Sequence, residues 1–264
     1  MRPPPAPVLN AFGLQDSCPR LLAGGRGTTW HAGNCILKPV DLTEGELCWQ
    51  AATLAALAPA RLRLCTPHLS RHGTYLIEGW AAWTFLPGCH EPGRWDDILQ
   101  VARELHDALA PLPLPEFLGA RRDAWAHADR VAWGEQSIEA YLSIPVVRTL
   151  AALRRPVVAP AQLIHGDLTG NVLFLDGNTP AVIDLSLYWR PVAYAAGIVV
   201  ADALVWEGAD ERLLTTADEW PDFAQCFVRA LLFRIVTDTL RNHGTVNAQP
   251  YERAVELACG LVAR

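Results

Sequence analysis

The sequence predicts an α+β protein in two lobes: a small β-rich lobe over residues 1–79 and a larger, mainly helical lobe over residues 80–264. Three observations carry this. Residues 21–77 hold short apolar runs separated by glycine turns, with one amphipathic helix among them. From Trp95 onward, apolar residues recur at helical spacing. Inset in the helical part, residues 163–186 read LIHGDLTGNVLFLDGNTPAVIDLS, two short apolar runs about an Asp-Gly turn, which is the pattern of a β-hairpin.

Length and composition bound the function. A chain of 264 residues, 51% apolar and 19% charged, can bury a sizeable core and fold as a globule. A net charge of −6 argues against nucleic acid as a partner, since a phosphate backbone needs a basic face. Seven scattered cysteines without a Cys-x-x-Cys pair predict a reduced, cytoplasmic protein. The proline-rich start lacks the apolar core of a signal peptide, and the apolar run 192–205 is interrupted by Asp202 and too short to span a membrane. Lysine occurs once, at Lys38, in a chain whose other basic residues are arginines. A compact ammonium and a planar guanidinium are not interchangeable, so a lone lysine hints at a specific task.

In the first lobe, the proline-rich lead carries no chemistry, and its first residues are expected to be disordered. Residues 21–30 read as strand, glycine turn and strand. Gly24, Gly25 and Gly27, followed by Thr28, leave backbone N–H groups accessible to a phosphate. A third strand carries Lys38. Asp41 then caps a helix with Glu44 as its capping-box partner, and Leu47, Ala51, Leu54 and Ala58 form the apolar stripe. Residues 75–77 form a further strand, and Glu78-Gly79-Trp80 leads out of it.

In the second lobe, Ile98, Ala102, Leu105 and Leu109 share one helix face, which Pro111 ends. His106 beside them is expected to be buried and hydrogen-bonded rather than catalytic. Further helices are expected over residues 119–133 and about 137–153. Tyr188-Trp189-Arg190-Pro191 reads as a rigid turn before an apolar helix over 192–206. Asp202 in that helix should pair with a basic group of the site's core or cap a buried N–H. Residues 207–222 are acidic, and two closing helices follow over 223–240 and 250–261.

The hairpin gathers the chemistry. Asn171 enters its first strand and Asp184 leaves its second, so its open end brings them together, with Asp167 on the preceding loop. Two acids and an amide suit a hard cation such as magnesium, which keeps its remaining positions for water and phosphate. Asp167 is then free to orient or deprotonate a hydroxyl.

This stretch resembles the catalytic core of the aminoglycoside phosphotransferase family, small-molecule relatives of the protein kinases. The pattern is His165-Gly166-Asp167, Asn171, and a strand pair ending in Ile183-Asp184; Tyr188-Trp189-Arg190-Pro191 is similar to an actinobacterial branch of that family. The resemblance implies a protein-kinase-like fold, ATP as phosphoryl donor with Mg2+, and a hydroxyl of a small molecule as acceptor: an aminoglycoside, another antibiotic, a sugar or an amino alcohol. It implies Asp167 as catalytic base and Asn171 and Asp184 as magnesium ligands. It places Gly24, Gly25, Gly27, Thr28 and Lys38 on the nucleotide phosphates, with a glutamate of the following helix as the partner of Lys38; Glu44 and Glu46 both qualify by position, and Glu46 is preferred because Glu44 serves the cap. It makes the stretch from Glu78-Gly79-Trp80 through Phe85-Leu86-Pro87-Gly88 the hinge whose backbone holds adenine. Two departures stand out. The spacing from Asp167 to Asn171 is one residue shorter than in the family. Leu185-Ser186 follows Asp184 where protein kinases have Phe-Gly, so their activation switch is not expected. The short spacing supports a rival reading, a non-catalytic nucleotide-binding regulator on the same fold; the joint presence of Lys38, Asp167, Asn171 and Asp184 argues against it.

Overall fold

The computed structural model describes residues 2–23, 27–57 and 61–264. Gly24, Gly25 and Ala58 therefore lie outside the described residues. The chain divides into two compact units, Met1–Cys89 with Leu173–Asp184, and His90–Val172 with Leu185–Arg264.

The first unit contains α1 (Ala6–Ala11), β1 (Arg20–Leu21), β2 (Trp30–Ala32), β3 (Cys35–Pro39), α2 (Glu44–Leu57), β4 (Arg63–Leu64), β5 (Leu76–Ile77) and β6 (Trp80–Thr84). An antiparallel sheet runs in the order β1-β2-β3-β6-β5. The proline-rich lead is not loose: it forms α1, with proline in the first turn, where the missing N–H costs nothing. Val8 and Leu14 are buried against Ala32, Cys35, Leu37 and Ala82 of the sheet, and that burial offsets the ordering entropy.

The division falls after Cys89 rather than near residue 79. β6 sits between β3 and β5 and cannot leave the sheet. The hairpin strands β8 (Val172–Leu173) and β9 (Ala181–Val182) are neighbours, and β9 pairs in parallel with β4 through Arg63↔Ala181 and Leu64↔Val182. That pairing draws residues 173–184 into the first unit, a long-range contact invisible to a local reading.

The second unit contains α3 (Trp95–Leu109), α4 (Phe117–Ala120), α5 (Ala124–Trp133), α6 (Pro145–Leu153), β7 (Gln162–His165), β10 (Leu187–Arg190), α7 (Val192–Trp206), α8 (Arg212–Ala217), α9 (Phe223–Arg241) and α10 (Glu252–Val262). α7 is apolar on every side because it is central. Gly197 lets α9 close on it: a Cβ there would lie 3.1 Å from the backbone of Cys226 and Phe227. Tyr194 meets Trp133 edge-on at 5.2 Å and Phe233 at 6.2 Å, fixing α5 and α9 around α7.

Three expectations change here. The helix over 119–133 is α5 alone, capped by the Asp123 side chain, with the short α4 before it. The single helix over 137–153 is a 3-10 turn, Glu139–Tyr141, followed by α6. Pro145 starts α6 and holds Ile144 extended, which breaks the helix between them. Tyr188-Trp189-Arg190 is not a turn but the strand β10, paired antiparallel with β7 from Leu187↔His165 to Arg190↔Gln162. Among the described residues, no helix is long and apolar enough to cross a membrane.

Candidate active site

The His165-Gly166-Asp167 loop hangs from β7, and its own backbone requirements select its residues. Leu163 and Ile164 are wholly buried and anchor the strand. Gly166 donates its N–H to the Ser186 carbonyl at 2.8 Å, and a Cβ on Gly166 would lie 2.6 Å from the Tyr188 ring. Only glycine passes that ring. His165 is fully buried; its Nδ1 accepts the N–H of Asp167 at 3.2 Å and of Ser186 at 3.4 Å. Accepting at Nδ1 makes the ring neutral, with its proton on Nε2. His165 N–H in turn donates to His106 Nε2 at 3.0 Å. His106 is thus buried and hydrogen-bonded as expected, and burial pushes its imidazole down to about 3, so it is neutral too.

The short loop from Asp167 to Asn171 closes on itself. Asn171 and Val172 donate N–H groups to the Leu168 carbonyl at 2.9 and 3.1 Å, with Gly170 left-handed at φ 80°. The Asn171 amide donates to the Asp167 carbonyl at 2.6 Å and to its Oδ2 at 3.3 Å. Its N–H side is thereby committed, and its carbonyl oxygen is the face it presents.

Asp167 Oδ1 accepts from Arg234 Nη2 at 2.6 Å. Arg234, on α9, also donates through Nε to Asp202 Oδ1 at 2.7 Å and through Nη2 to Asp202 Oδ2 at 2.5 Å. Asp202 and Arg234 are both buried, whereas the Asp167 side chain is 40% exposed. Burial raises the Asp202 carboxyl to about 6 against the pull of Arg234. Asp202 therefore does pair with a basic group of the site, one of its two expected tasks. Sequence reasoning missed Arg234; its one signal is a guanidinium midway along the apolar run LLFRIV, where a charge must find a buried partner.

In the first unit, Lys38 on β3 donates to Asp184 Oδ1 at 2.5 Å, and its Nζ lies 4.9 Å above the Trp83 ring. Asp184 is left-handed at φ 51°, a conformation that side-chain-bearing residues seldom adopt and that recurs at functional sites. Glu46 is not the partner of Lys38. It completes a capping box with Thr43, accepting from Thr43 N–H at 2.8 Å while its own N–H donates to Thr43 Oγ1 at 3.2 Å. The helix starts two residues later than Asp41 would dictate, so the cap and its glutamate shift together. Glu44 instead accepts the N–H groups of Tyr75 and Leu76, both at 2.8 Å, tying α2 to β5.

Of the expected hinge stretch, Glu78 and Trp80 are taken up by the sheet, and only its last part, from Phe85, lies beyond it. Glu78 (φ 50°) and Gly79 (φ 77°) are the two central residues of a tight turn that folds β5 onto β6. Trp80 packs on the sheet's cluster beside Ile77. The chain leaves the sheet one strand later, through residues 85–89. There Phe85 N–H donates to Asn34 O, Cys89 and Phe174 exchange backbone hydrogen bonds, and Arg63 holds the Pro87 carbonyl. Gly27 is left-handed at φ 66° with open space at its Cβ, and Thr28 follows it before β2; both belong to the β1–β2 connection. The acids of 207–222 are mostly engaged: Glu207 accepts from His90 and Trp95, Glu219 from Arg103, and Asp222 from Val158 and Ala159 N–H.

Taken singly, the Asn171 carbonyl of the second unit and the exposed Asp184 carboxylate of the first are hard oxygen donors of the kind magnesium takes, and no cluster of three or more His, Cys, Asp or Glu that could hold a metal occurs among the described residues. An ion that keeps several positions for water and phosphate needs no such cage.

Comparison with solved structures gives the same architecture. An aminoglycoside phosphotransferase from Alicyclobacillus acidocaldarius subsp. acidocaldarius is 13% identical, with 100% of this chain and 95% of that one covered, at a TM-score of 0.61. A spectinomycin phosphotransferase in complex with ADP and spectinomycin is 13% identical, with 96% and 91% covered, at 0.55. An ethanolamine kinase from Plasmodium vivax is 10% identical, with 94% and 82% covered, at 0.52. No curated protein shows significant sequence similarity to the chain. At these identities the structures establish the fold, an α+β protein-kinase-like one. The family model of the phosphotransferase enzymes matches residues 28–226, most of the sequence and every residue of both clusters above except Arg234, so the chain belongs to the phosphotransferase enzyme family.

Proposed function

We propose that the protein transfers the γ-phosphoryl group of ATP to a hydroxyl of a small molecule. The observation that carries this reading is the ion pair between Lys38 and Asp184, which joins the chain's one lysine to the aspartate that ends the Ile-Asp motif. That pair supplies a cation for phosphate oxygens beside a carboxylate for their counter-ion. Lys38, with Gly24, Gly25, Gly27 and Thr28, would hold the phosphates. The backbone of residues 85–89 is the better candidate for adenine, since Glu78 and Trp80 are spent on a turn and the core. Asn171 and Asp184 would hold magnesium, which when bound neutralises charge on the phosphate oxygens.

Asp167 would align the acceptor hydroxyl and take its proton as the new O–P bond forms and the bond to ADP breaks. The closed Asp167–Asn171 loop supports catalysis over the regulator reading, because the short spacing still sets Asn171 against Asp167. The acceptor is a small molecule with a free hydroxyl; spectinomycin and ethanolamine, the substrates named for two structural neighbours, are the first to try.

The test is consumption of magnesium-ATP by the purified protein with hydroxylated small molecules as acceptors, and Asp167→Asn alongside. Acceptor-dependent turnover should fall ~10²–10⁴-fold in the variant while nucleotide binding persists. Turnover that survives the substitution removes Asp167 from its role, tight ATP binding without turnover favours the regulator, and absence of ATP binding defeats the reading.

A further inference from the structure

Arg234 joins two carboxylates of different kind, the buried Asp202 and the part-exposed Asp167. Its charge is balanced by Asp202, which is equally buried and takes two of its N–H groups. This two-point geometry fixes the plane of the guanidinium against the Asp202 carboxylate. Asp167 needs no partner for solvation, since its side chain is 40% exposed. Yet Nη2 is shared between the two carboxylates, at 2.6 Å from Asp167 Oδ1 and 2.5 Å from Asp202 Oδ2. The guanidinium itself cannot drift: its carbon lies 5.2 Å from the Phe233 ring centre and 5.9 Å from that of Trp206.

The geometry points to Arg234, seated on Asp202, as a positioning residue for Asp167. This rests on the phosphotransfer reading above and adds two residues to it. α7 fixes Asp202, Asp202 fixes the plane of the guanidinium, and the guanidinium fixes one oxygen of Asp167. Asn171 holds the backbone carbonyl of Asp167 from the other side. Oδ2, which takes only the longer bond from the Asn171 amide at 3.3 Å, keeps a lone pair to offer a hydroxyl. Phosphoryl transfer through a loose transition state asks for alignment of the nucleophile more than for strong proton abstraction. A carboxylate with an arginine on its other oxygen suits that demand.

The test replaces the buried pair by neutral groups of similar size, Asp202→Asn with Arg234→Met, so that no buried charge is left alone. The comparison variant, Asp129→Asn with Arg190→Met, neutralises another arginine–aspartate pair of this unit, one whose arginine also meets the exposed Glu135 and which does not touch Asp167. Magnesium-dependent ATP turnover is read with water and with ethanolamine as acceptors, and melting is read for each variant. The first variant should lose roughly 10–100-fold in kcat with KM for ATP nearly unchanged, the signature of lost alignment. The second should keep the wild-type kcat. Arg234→Ala should regain turnover when guanidinium is added, because the vacated site can be refilled. Equal losses in both double variants, or wild-type kcat in the first while Asp167→Asn is inactive, would overturn the inference and leave the phosphotransfer reading standing. Wild-type protein with no magnesium-dependent ATP turnover overturns both.

Discussion

Lys38 and Asp184, 146 residues apart in sequence, form an ion pair of 2.5 Å in which the aspartate sits in a left-handed backbone conformation. The pair is partly open to water, with side chains 19% and 56% exposed. A pair so exposed contributes about 0–1 kcal/mol to stability. The aspartate is held in a left-handed conformation for little return in folding free energy, which separates its function from its structural worth. Asp184→Asn is the sharp probe, because asparagine tolerates the left-handed region and removes only the charge. The melting temperature should move by no more than about 2–4 °C. Magnesium-dependent ATP affinity should drop, and ATP titration with and without magnesium measures it. Unchanged affinity would remove Asp184 from the metal site.

Glu46 and Thr43 give a second prediction. Thr43→Ala removes the helix cap and should cost about 1 kcal/mol, seen as a lower melting temperature. Glu46→Gln keeps an acceptor for the Thr43 N–H and should leave ATP affinity unchanged, since Lys38 is paired elsewhere. A loss of affinity in Glu46→Gln would mean that Glu46 turns to Lys38 once nucleotide is present.

What was legible in the sequence and what was not divides along the range of the interactions. The His165-Gly166-Asp167 loop, Asn171 and the hairpin to Asp184 are local, and their turn and strand chemistry sits in consecutive residues. The helix over 95–109 and its buried His106 follow from period alone. The Lys38 partner failed because two glutamates two residues apart compete for one cap, and the choice of Thr43 over Asp41 as cap is a matter of a single turn. The expected hinge stretch begins too early because Glu78-Gly79 reads equally as an exit or as a two-residue hairpin turn, and only the pairing of β6 with both β3 and β5 decides it. The unit boundary failed for the same reason, through the parallel pairing of β4 with β9. Arg234 lies 67 residues from Asp167 on a helix whose periodicity says only that it is buried.

Gly166 supplies a third prediction. Its requirement is space, not conformation: a Cβ would meet Tyr188 Cδ2 at 2.6 Å and Cε2 at 2.7 Å. Tyr188 is itself buried and paired in β10, with its ring edge-on to Phe233 at 5.7 Å, so it cannot yield. Gly166→Ala should cost about 1–3 kcal/mol of stability, the usual scale for overpacking. It should also displace Asp167 and lower kcat more than KM. Thermal melting and steady-state kinetics check the two halves, and wild-type values in both would mean that the strand pair shifts freely.

His106 sets a dependence on pH. Burial pushes its imidazole down to about 3 from the ordinary 6.5. Between those values the unfolded chain binds a proton that the folded chain refuses. More protons bound to the unfolded state means that stability rises with pH across this window and is lost as pH falls through it. The full excursion is about 4–5 kcal/mol at 1.36 kcal/mol per unit. The loss reaches the site directly, because His106 Nε2 accepts the N–H of His165, whose Nδ1 in turn holds the N–H of Asp167. A protonated His106 offers no acceptor there. His106→Gln keeps a carbonyl in place of Nε2 and does not titrate. Its urea midpoint, measured from pH 7 down to pH 4, should fall less steeply than that of the wild type. Parallel curves for the two proteins would assign the acid sensitivity to another group.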